Sequence, residues 1–224
     1  MAATFYLSSL GCAKNQVDSE MMLGLLASLG YRRSDVPEDA EIIIVNTCGF
    51  IADAKEESID TICQMLPLKE AGTCKLLIVT GCLAEKYRQE LAAELPEVDG
   101  FLGTHEYHKI GALLNRLEGR PEPPIAEDVA SLYAQRELLT PGYTAYMKIA
   151  EGCNNHCAYC LIPQLRGPLA SIPLETLLAE AACLRRQGVE ELILIAQDTS
   201  NYGRDLYQQE MLPVLLDQVA ERCV

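Results

Sequence analysis

Basic residues are scarce in this chain. It carries 18 Lys and Arg against 32 Asp and Glu over 224 residues, a formal net charge of −14. Gripping a nucleic-acid backbone is carried mainly by Lys and Arg, so this stretch is not built to do so unaided. The acidic excess suits a basic partner or serves solubility alone. The start, "MAATFYLSSLG", has no basic head and only a short apolar run, which excludes a secretory leader as the reading. Long hydrophobic runs are missing too. "IIIV" at 42–45 and "LLIV" at 76–79 are far too short to span a bilayer. No internal repeat and no low-complexity tract is present. These absences lead to the expectation of a cytoplasmic protein with no membrane partner. In that compartment ten cysteines point to metal or redox chemistry rather than disulfides.

What is present is a strand–helix rhythm. "TFYLS" (4–8) reads as a strand, and Asn15 to Leu29 as a helix with Met21, Met22, Leu25, Leu26 and Leu29 on one face, closed by Gly30. "EIIIVN" (41–46) is a strand too apolar to be half-exposed, as in a parallel sheet covered on both faces. A helix from Asp53 to Leu66 ends before Pro67. Then come a strand at 75–80, a helix at 83–95, a weaker strand at 98–103 and a helix at 106–117. This predicts an α/β fold, a doubly wound parallel sheet, over 1–118. Residues 119–143 hold "EGRPEPPIAED" at their start or just before it and read as a linker. A second β/α series follows over 144–224, with strands at 144–150 and 191–196 and helices at 173–187 and 207–223. Two βα units neither close a barrel nor make a stable sheet alone, so this domain is expected to be cut short.

Three cysteines follow the first three strands: Cys12 in "GCAKN", Cys48 in "NTCGF" and Cys82 in "TGCLAE". In an open parallel sheet the loops at the strands' carboxyl ends gather on one edge, where ligands bind. Gly11, Gly49 and Gly81 beside them allow close backbone approach to a bulky ligand. A metal or cluster site is therefore expected there. Cys63 is expected in the core, on the face Ile59, Ile62, Cys63, Leu66. Cys74, Cys183 and Cys223 have no partner at ligand spacing and read as structural or incidental.

The second set is denser. "EGCNNHCAYC" (151–160) spaces Cys153, Cys157 and Cys160 as C-x3-C-x2-C in a loop after a strand. A Cys3His zinc site with His156 is one reading. The other is a cubane iron–sulfur cluster, in which three thiolates leave one iron open for a substrate or cofactor.

This spacing, with Tyr159 just before the last cysteine, resembles the radical S-adenosylmethionine (SAM) enzymes. Together with "LGCAKNQVDSE", "NTCGFI" and "TGCLAE" it resembles the methylthiotransferases among them, over essentially the whole chain. "NTCGFIADAKEESID" and "AQDTSNYGRDLY" are similar to the RimO-like branch, which acts on a ribosomal protein, rather than to the tRNA-modifying, MiaB-like branch. The resemblance implies an N-terminal cluster domain, a radical SAM partial (β/α) barrel, and a C-terminal TRAM domain that is not in this sequence. It implies transfer of a methylthio group to the β-carbon of an aspartate in small-subunit ribosomal protein S-twelve.

It further implies two 4Fe–4S clusters, one on Cys153, Cys157 and Cys160 and one on Cys12, Cys48 and Cys82, with S-adenosyl-L-methionine at the first. One electron would release a 5′-deoxyadenosyl radical able to take hydrogen from an unactivated carbon. Tyr159 would line the adenine pocket, and Gln197 and Asp198 would face the methionyl end. A reducing electron donor and a sulfur source are implied partners, with nucleic acid reached only through the missing domain. The tRNA branch and a non-catalytic cluster-binding fragment are the alternatives. Two departures stand out: "PLASIP" puts Ala170 and Ile172 where the family has an arginine-flanked serine, and the family runs to roughly twice this length.

Overall fold

The computed structural model describes residues 3–121, 132–133 and 135–223. The chain forms two compact units, Met1–Glu127 and Asp128–Val224. Most of the expected linker, residues 122–131 and 134, lies outside the described residues.

The first unit is built on five parallel strands: β1 (Thr4–Ser9), β2 (Arg32–Arg33), β3 (Ile42–Thr47), β4 (Leu76–Gly81) and β5 (Gly100–Leu102). Their order is β2-β1-β3-β4-β5, and every neighbouring pair is parallel. All six residues of β3 are buried, as its apolar run Ile42–Val45 leads one to expect when both faces are covered, and the burial extends over the polar Asn46 and Thr47. Helices α1 (Ala13–Ser28), α2 (Ala52–Glu70) and α3 (Cys82–Glu94) connect strands, and α4 (Ile110–Leu117) follows β5. Ile43, Val45, Leu77 and Val79 form one core layer with Ile62 and Met65 of α2 and Ala84 of α3. Because side chains alternate along a strand, Ile42, Ile44 and Ile78 point the other way. On that side a Cβ at Gly100 would meet both Ile78 and Leu113 of α4, which packs against α1.

Helix α1 stops through a Schellman turn. Gly30 N–H donates to Ala27 O, Tyr31 N–H donates to Leu26 O, and Gly30 takes the left-handed φ of +85° that favours glycine. Leu29, expected on the buried face, falls beyond the last helical turn and is exposed. Helix α2 runs through Pro67 instead of ending before it. The proline sits in the final turn, and its carbonyl still accepts from Ala71 N–H. Cys63 is exposed, not in the core, because the buried stripe of α2 is Ser58, Ile62 and Met65.

The second unit contains a parallel pair, β6 (Thr144–Lys148) with β9 (Glu191–Ile195), and a two-residue antiparallel clip, β7 (Ala150–Glu151) with β8 (Ala170–Ser171). The strand expected at 144–150 therefore breaks at Ile149, where the chain changes partner. Its helices include α5 (Ile162–Arg166), α6 (Leu174–Arg186) and α7 (Leu212–Cys223). The last starts later than the expected 207, because 203–208 form turns around Gly203 and Gln208, both at positive φ. Among the described residues no helix is long and apolar enough to cross a membrane.

Candidate cluster sites

In this strand order the chain leaves β1 to one side and β3 to the other, so the crevice between their carboxyl ends is the topological switch point. Cys12 follows β1 and is the residue immediately before α1. Cys48 follows β3, and Cys82 is the first residue of α3, directly after β4. Cys12 is exposed, while Cys48 and Cys82 are buried. The segments touch closely. A Cβ at Gly11 would lie 2.7 Å from Cys48 Cβ and 3.1 Å from Cys48 Sγ, and one at Gly49 would lie about 3 Å from the backbone of Cys82 and Leu83. Gly81, at φ +94°, leaves no room for a side chain against Asn46 Oδ1 and Thr47 O, 2.4 Å away.

Polar groups fix this edge from behind. Asn15, fully buried on α1, donates through Nδ2 to Leu10 O (3.0 Å) and Thr47 O (2.8 Å), and its Oδ1 faces Cys82 Sγ at 3.8 Å. Ser58 Oγ, on α2, accepts from Cys48 N–H and donates to its carbonyl, both at 3.0 Å. Neither residue is predicted from the sequence. The signal that marks Asn15 is an amide three residues after Cys12, on the same side of the helix as the apolar Met22 and Leu26.

In the second unit Cys153, Cys157 and Cys160 lie in an irregular loop between β7 and α5. Its root is tight: a Cβ at Gly152, φ +67°, would lie 2.0 Å from Pro168 O, and Cys153 N–H donates to Gly167 O at 3.2 Å. Two backbone amides point at sulfur, Asn155 N–H at Cys153 Sγ and Ile162 N–H at Cys160 Sγ, each 3.5 Å. The glycine-lined approaches and amide-facing sulfurs fit soft thiolate ligation of an iron–sulfur group. Among the described residues no three His, Cys, Asp or Glu side chains are grouped to hold a single metal ion. His156 takes a left-handed φ of +48°.

Glu151, one residue before Gly152, accepts at 2.9 Å from both Lys148 Nζ and Arg166 Nη1, and from Gln197 Nε2 at 3.2 Å. Burial alone would push its carboxyl up, but the two cations and their hydrogen bonds outweigh that and hold it well below the usual carboxylate range. Gln197 Oε1 is buried with no hydrogen-bond partner. Asp198 accepts from Ser200, Asn155 and Asn201. These bonds, Ser200's first and Asn155's next, lower its pKa. Tyr159 is 89% exposed. Glu151, Arg166 and Asn155 escape a reading by spacing because their roles depend on the fold bringing β7, α5 and the end of β9 together.

Residues 4–103 match the sequence profile of the uncharacterized protein family UPF0004. Across 218 residues, 96% of the chain, it is 48% identical to the ribosomal protein uS12 methylthiotransferase RimO of Clostridioides difficile. It is 50% identical to the protein of that name from Geobacter sulfurreducens across 219 residues, 95% of the chain. It spans about half of these relatives' length, 49% and 48%. Among solved structures it is similar to the radical SAM methyltransferase TsrM of Kitasatospora setae, with a TM-score of 0.63 and 14% identity, covering 99% of this chain and 51% of that one. The cobalamin-dependent radical SAM enzyme OxsB gives 0.60 and 11%, covering 98% and 37%. At these identities the likeness is one of fold.

Proposed function

We propose that this chain, a sequence relative of the RimO-type uS12 methylthiotransferases along nearly its whole length, is the cluster-holding part of a radical SAM methylthiotransferase. The observation that carries the reading is the position of the two cysteine triads. One stands along the switch-point edge of a parallel sheet, the other in a braced loop directly after a parallel strand pair.

In this reading Cys153, Cys157 and Cys160 hold one 4Fe–4S cluster, and Cys12, Cys48 and Cys82 hold a second. Bound clusters and S-adenosyl-L-methionine supply one-electron chemistry able to break an unactivated C–H bond, which no protein acid or base can do. The chain's own groups prepare the sites. The amides of Asn155 and Ile162 point at the sulfurs of Cys153 and Cys160. Asn15 orients the Cys82 thiol, and Ser58 fixes the backbone of Cys48. Tyr159 is exposed and free to stack on an adenine. Gln197 Oε1 offers an unfilled acceptor to a donor group, and Asp198 stands beside it at the same strand end. The substrate is the aspartate of ribosomal protein uS12, in the cytoplasm, with an external electron donor and sulfur source.

The test uses a full-length protein carrying this segment, reconstituted anaerobically and incubated with dithionite, S-adenosylmethionine and sulfide. One arm contains a uS12 peptide and the other bulk tRNA. The expected products are 5′-deoxyadenosine and methylthio-aspartate in the peptide arm. Methylthio-adenosine in the tRNA arm would move the protein to the other branch. Absence of 5′-deoxyadenosine with both clusters loaded would remove the radical assignment.

A further inference from the structure

We infer that Asp198 is a positioning residue: its carboxylate braces the cysteine loop through Asn155 and does not itself take a ligand. This rests on the reading of the 153–160 loop as a cluster site.

A carboxylate offers about four lone-pair directions. In Asp198 all four are filled by this chain. Oδ1 accepts from Ser200 N–H at 3.1 Å and Ser200 Oγ–H at 2.6 Å, and Oδ2 accepts from Asn155 Nδ2 at 2.8 Å and Asn201 Nδ2 at 2.6 Å. A ligand donor would have to displace one of them. Its neighbour differs: Gln197 spends its amide N–H on Glu151 and keeps its buried Oε1 open. The two residues leaving β9 thus divide the work, and only Gln197 has an acceptor left to give.

Asn155 sits midway between Cys153 and Cys157. Its side chain is held at both ends, Nδ2 by Asp198 and Oδ1 by Asn201 Nδ2 at 3.4 Å. With the side chain fixed, its backbone N–H is the one aimed at Cys153 Sγ. The next residue, His156, takes the left-handed backbone that a non-glycine residue adopts only when its surroundings demand it. Asp198 therefore sets, from another strand end, both the amide facing one sulfur and the turn that carries the chain to Cys157. Partners of this kind, one step removed from the ligands, typically change metal affinity by roughly 10–100-fold when lost.

The test compares wild type with Asp198→Ala, Asn155→Ala, and the exchanged pair Asp198→Asn with Asn155→Asp. The exchange keeps an amide–carboxylate bond between the two positions, leaves Ser200 an acceptor, and leaves Asn201 Nδ2 the position-155 oxygen it already reaches in place of the one at 198. Three quantities are read on the 224-residue chain: hydrogen exchange of 152–162 without metal, the rate at which a chelator strips iron from the loop after anaerobic reconstitution, and S-adenosylmethionine binding. We expect faster exchange and at least about tenfold faster iron loss in both single variants, with wild-type behaviour in the exchanged pair. Unchanged iron retention and exchange in the single variants overturn the brace. So does loss of S-adenosylmethionine binding by Asp198→Ala with iron retained, which would make Asp198 a direct contact. If wild type takes up no loop iron, the cluster reading falls, and the exchange data alone then decide the brace. Faster exchange in the single variants, restored in the exchanged pair, upholds it, and unaltered exchange overturns it.

Discussion

The side-chain oxygen of Asn15 faces the sulfur of Cys82 at 3.8 Å across 67 positions of sequence, while the same amide's nitrogen binds the carbonyl that ends β3. One buried side chain thereby references all three strand ends that carry cysteines. Replacing Asn15 by Leu would leave Thr47 O and Leu10 O short of a donor in a dry setting, at a cost of about 1–3 kcal/mol. The expected outcome is a lower melting temperature, together with loss of the N-terminal site's iron. Asn15→Asp is expected to do the same, since a carboxylate cannot donate to either carbonyl. Thermal unfolding and iron assay check both.

Gly11 gives a sharper probe of the same edge. Alanine there would put its Cβ 2.7 Å from Cys48 Cβ, at a φ that L-residues rarely adopt. With each triad holding one cubane, iron should fall from about eight per chain to about four, with far-UV circular dichroism retained. Replacing Cys153, Cys157 and Cys160 by Ala should also leave about four, and the combination should leave none. A colourless protein with stoichiometric zinc would contradict both cubane assignments.

Glu106 makes the first unit acid-sensitive. Burial pushes its carboxyl up, but Gly103 N–H, Arg88 and Lys109 pull harder and set it at about 2. A carboxylate lowered in the folded state contributes stability that is complete above its unfolded pKa and lost as pH falls through the folded one. The window is therefore roughly pH 4.5 down to 2. The contribution is at most about 3 kcal/mol, and less after solvent screening. Glu106→Gln should flatten the pH dependence of unfolding in that window and leave stability at pH 2 nearly unchanged.

In the second unit Arg136 and Glu180 form an ion pair at 3.0 Å with side chains 1% and 0% exposed, and Arg136 also donates to Tyr146 O at 2.7 Å. Glu180→Ala removes one side of this buried ion pair and should destabilise the unit by about 3–5 kcal/mol. Arg136→Met with Glu180→Leu should recover most of that loss. Urea unfolding of the two variants checks the difference.

The parallel sheet was legible because β3 and β4 open with four-residue aliphatic runs and β1 with "TFYL", each between helical patterns, and a cysteine after each one follows directly from that assignment. What hid was whatever depends on a partner far away in sequence. The two-residue strands β2, β7 and β8 have no periodicity to detect, and they exist only through pairing with β1 or with each other. Cys63 looked buried because Ile59 and Leu66 share its side of α2, but the sheet meets that helix through Ser58, Ile62 and Met65. Pro67 reads as a stop, yet a proline in a last turn forfeits only one backbone hydrogen bond. Asp198 stood out only as a cofactor contact implied by resemblance, and its bond to Asn155, 43 positions away, had no signal in the sequence.

The fully buried β3 also imposes a timetable on synthesis. It is flanked in parallel by β1, made before it, and by β4, which leaves the ribosome roughly 30 residues later. At about 5–20 residues per second, "IIIV" waits roughly 2–7 s with one edge unpaired. That four-residue run is uncharged, β-branched and free of proline, the composition most prone to pairing with another chain. Slower translation between residues 48 and 75 should therefore lower the yield of soluble protein while leaving the stability of what does fold unaltered.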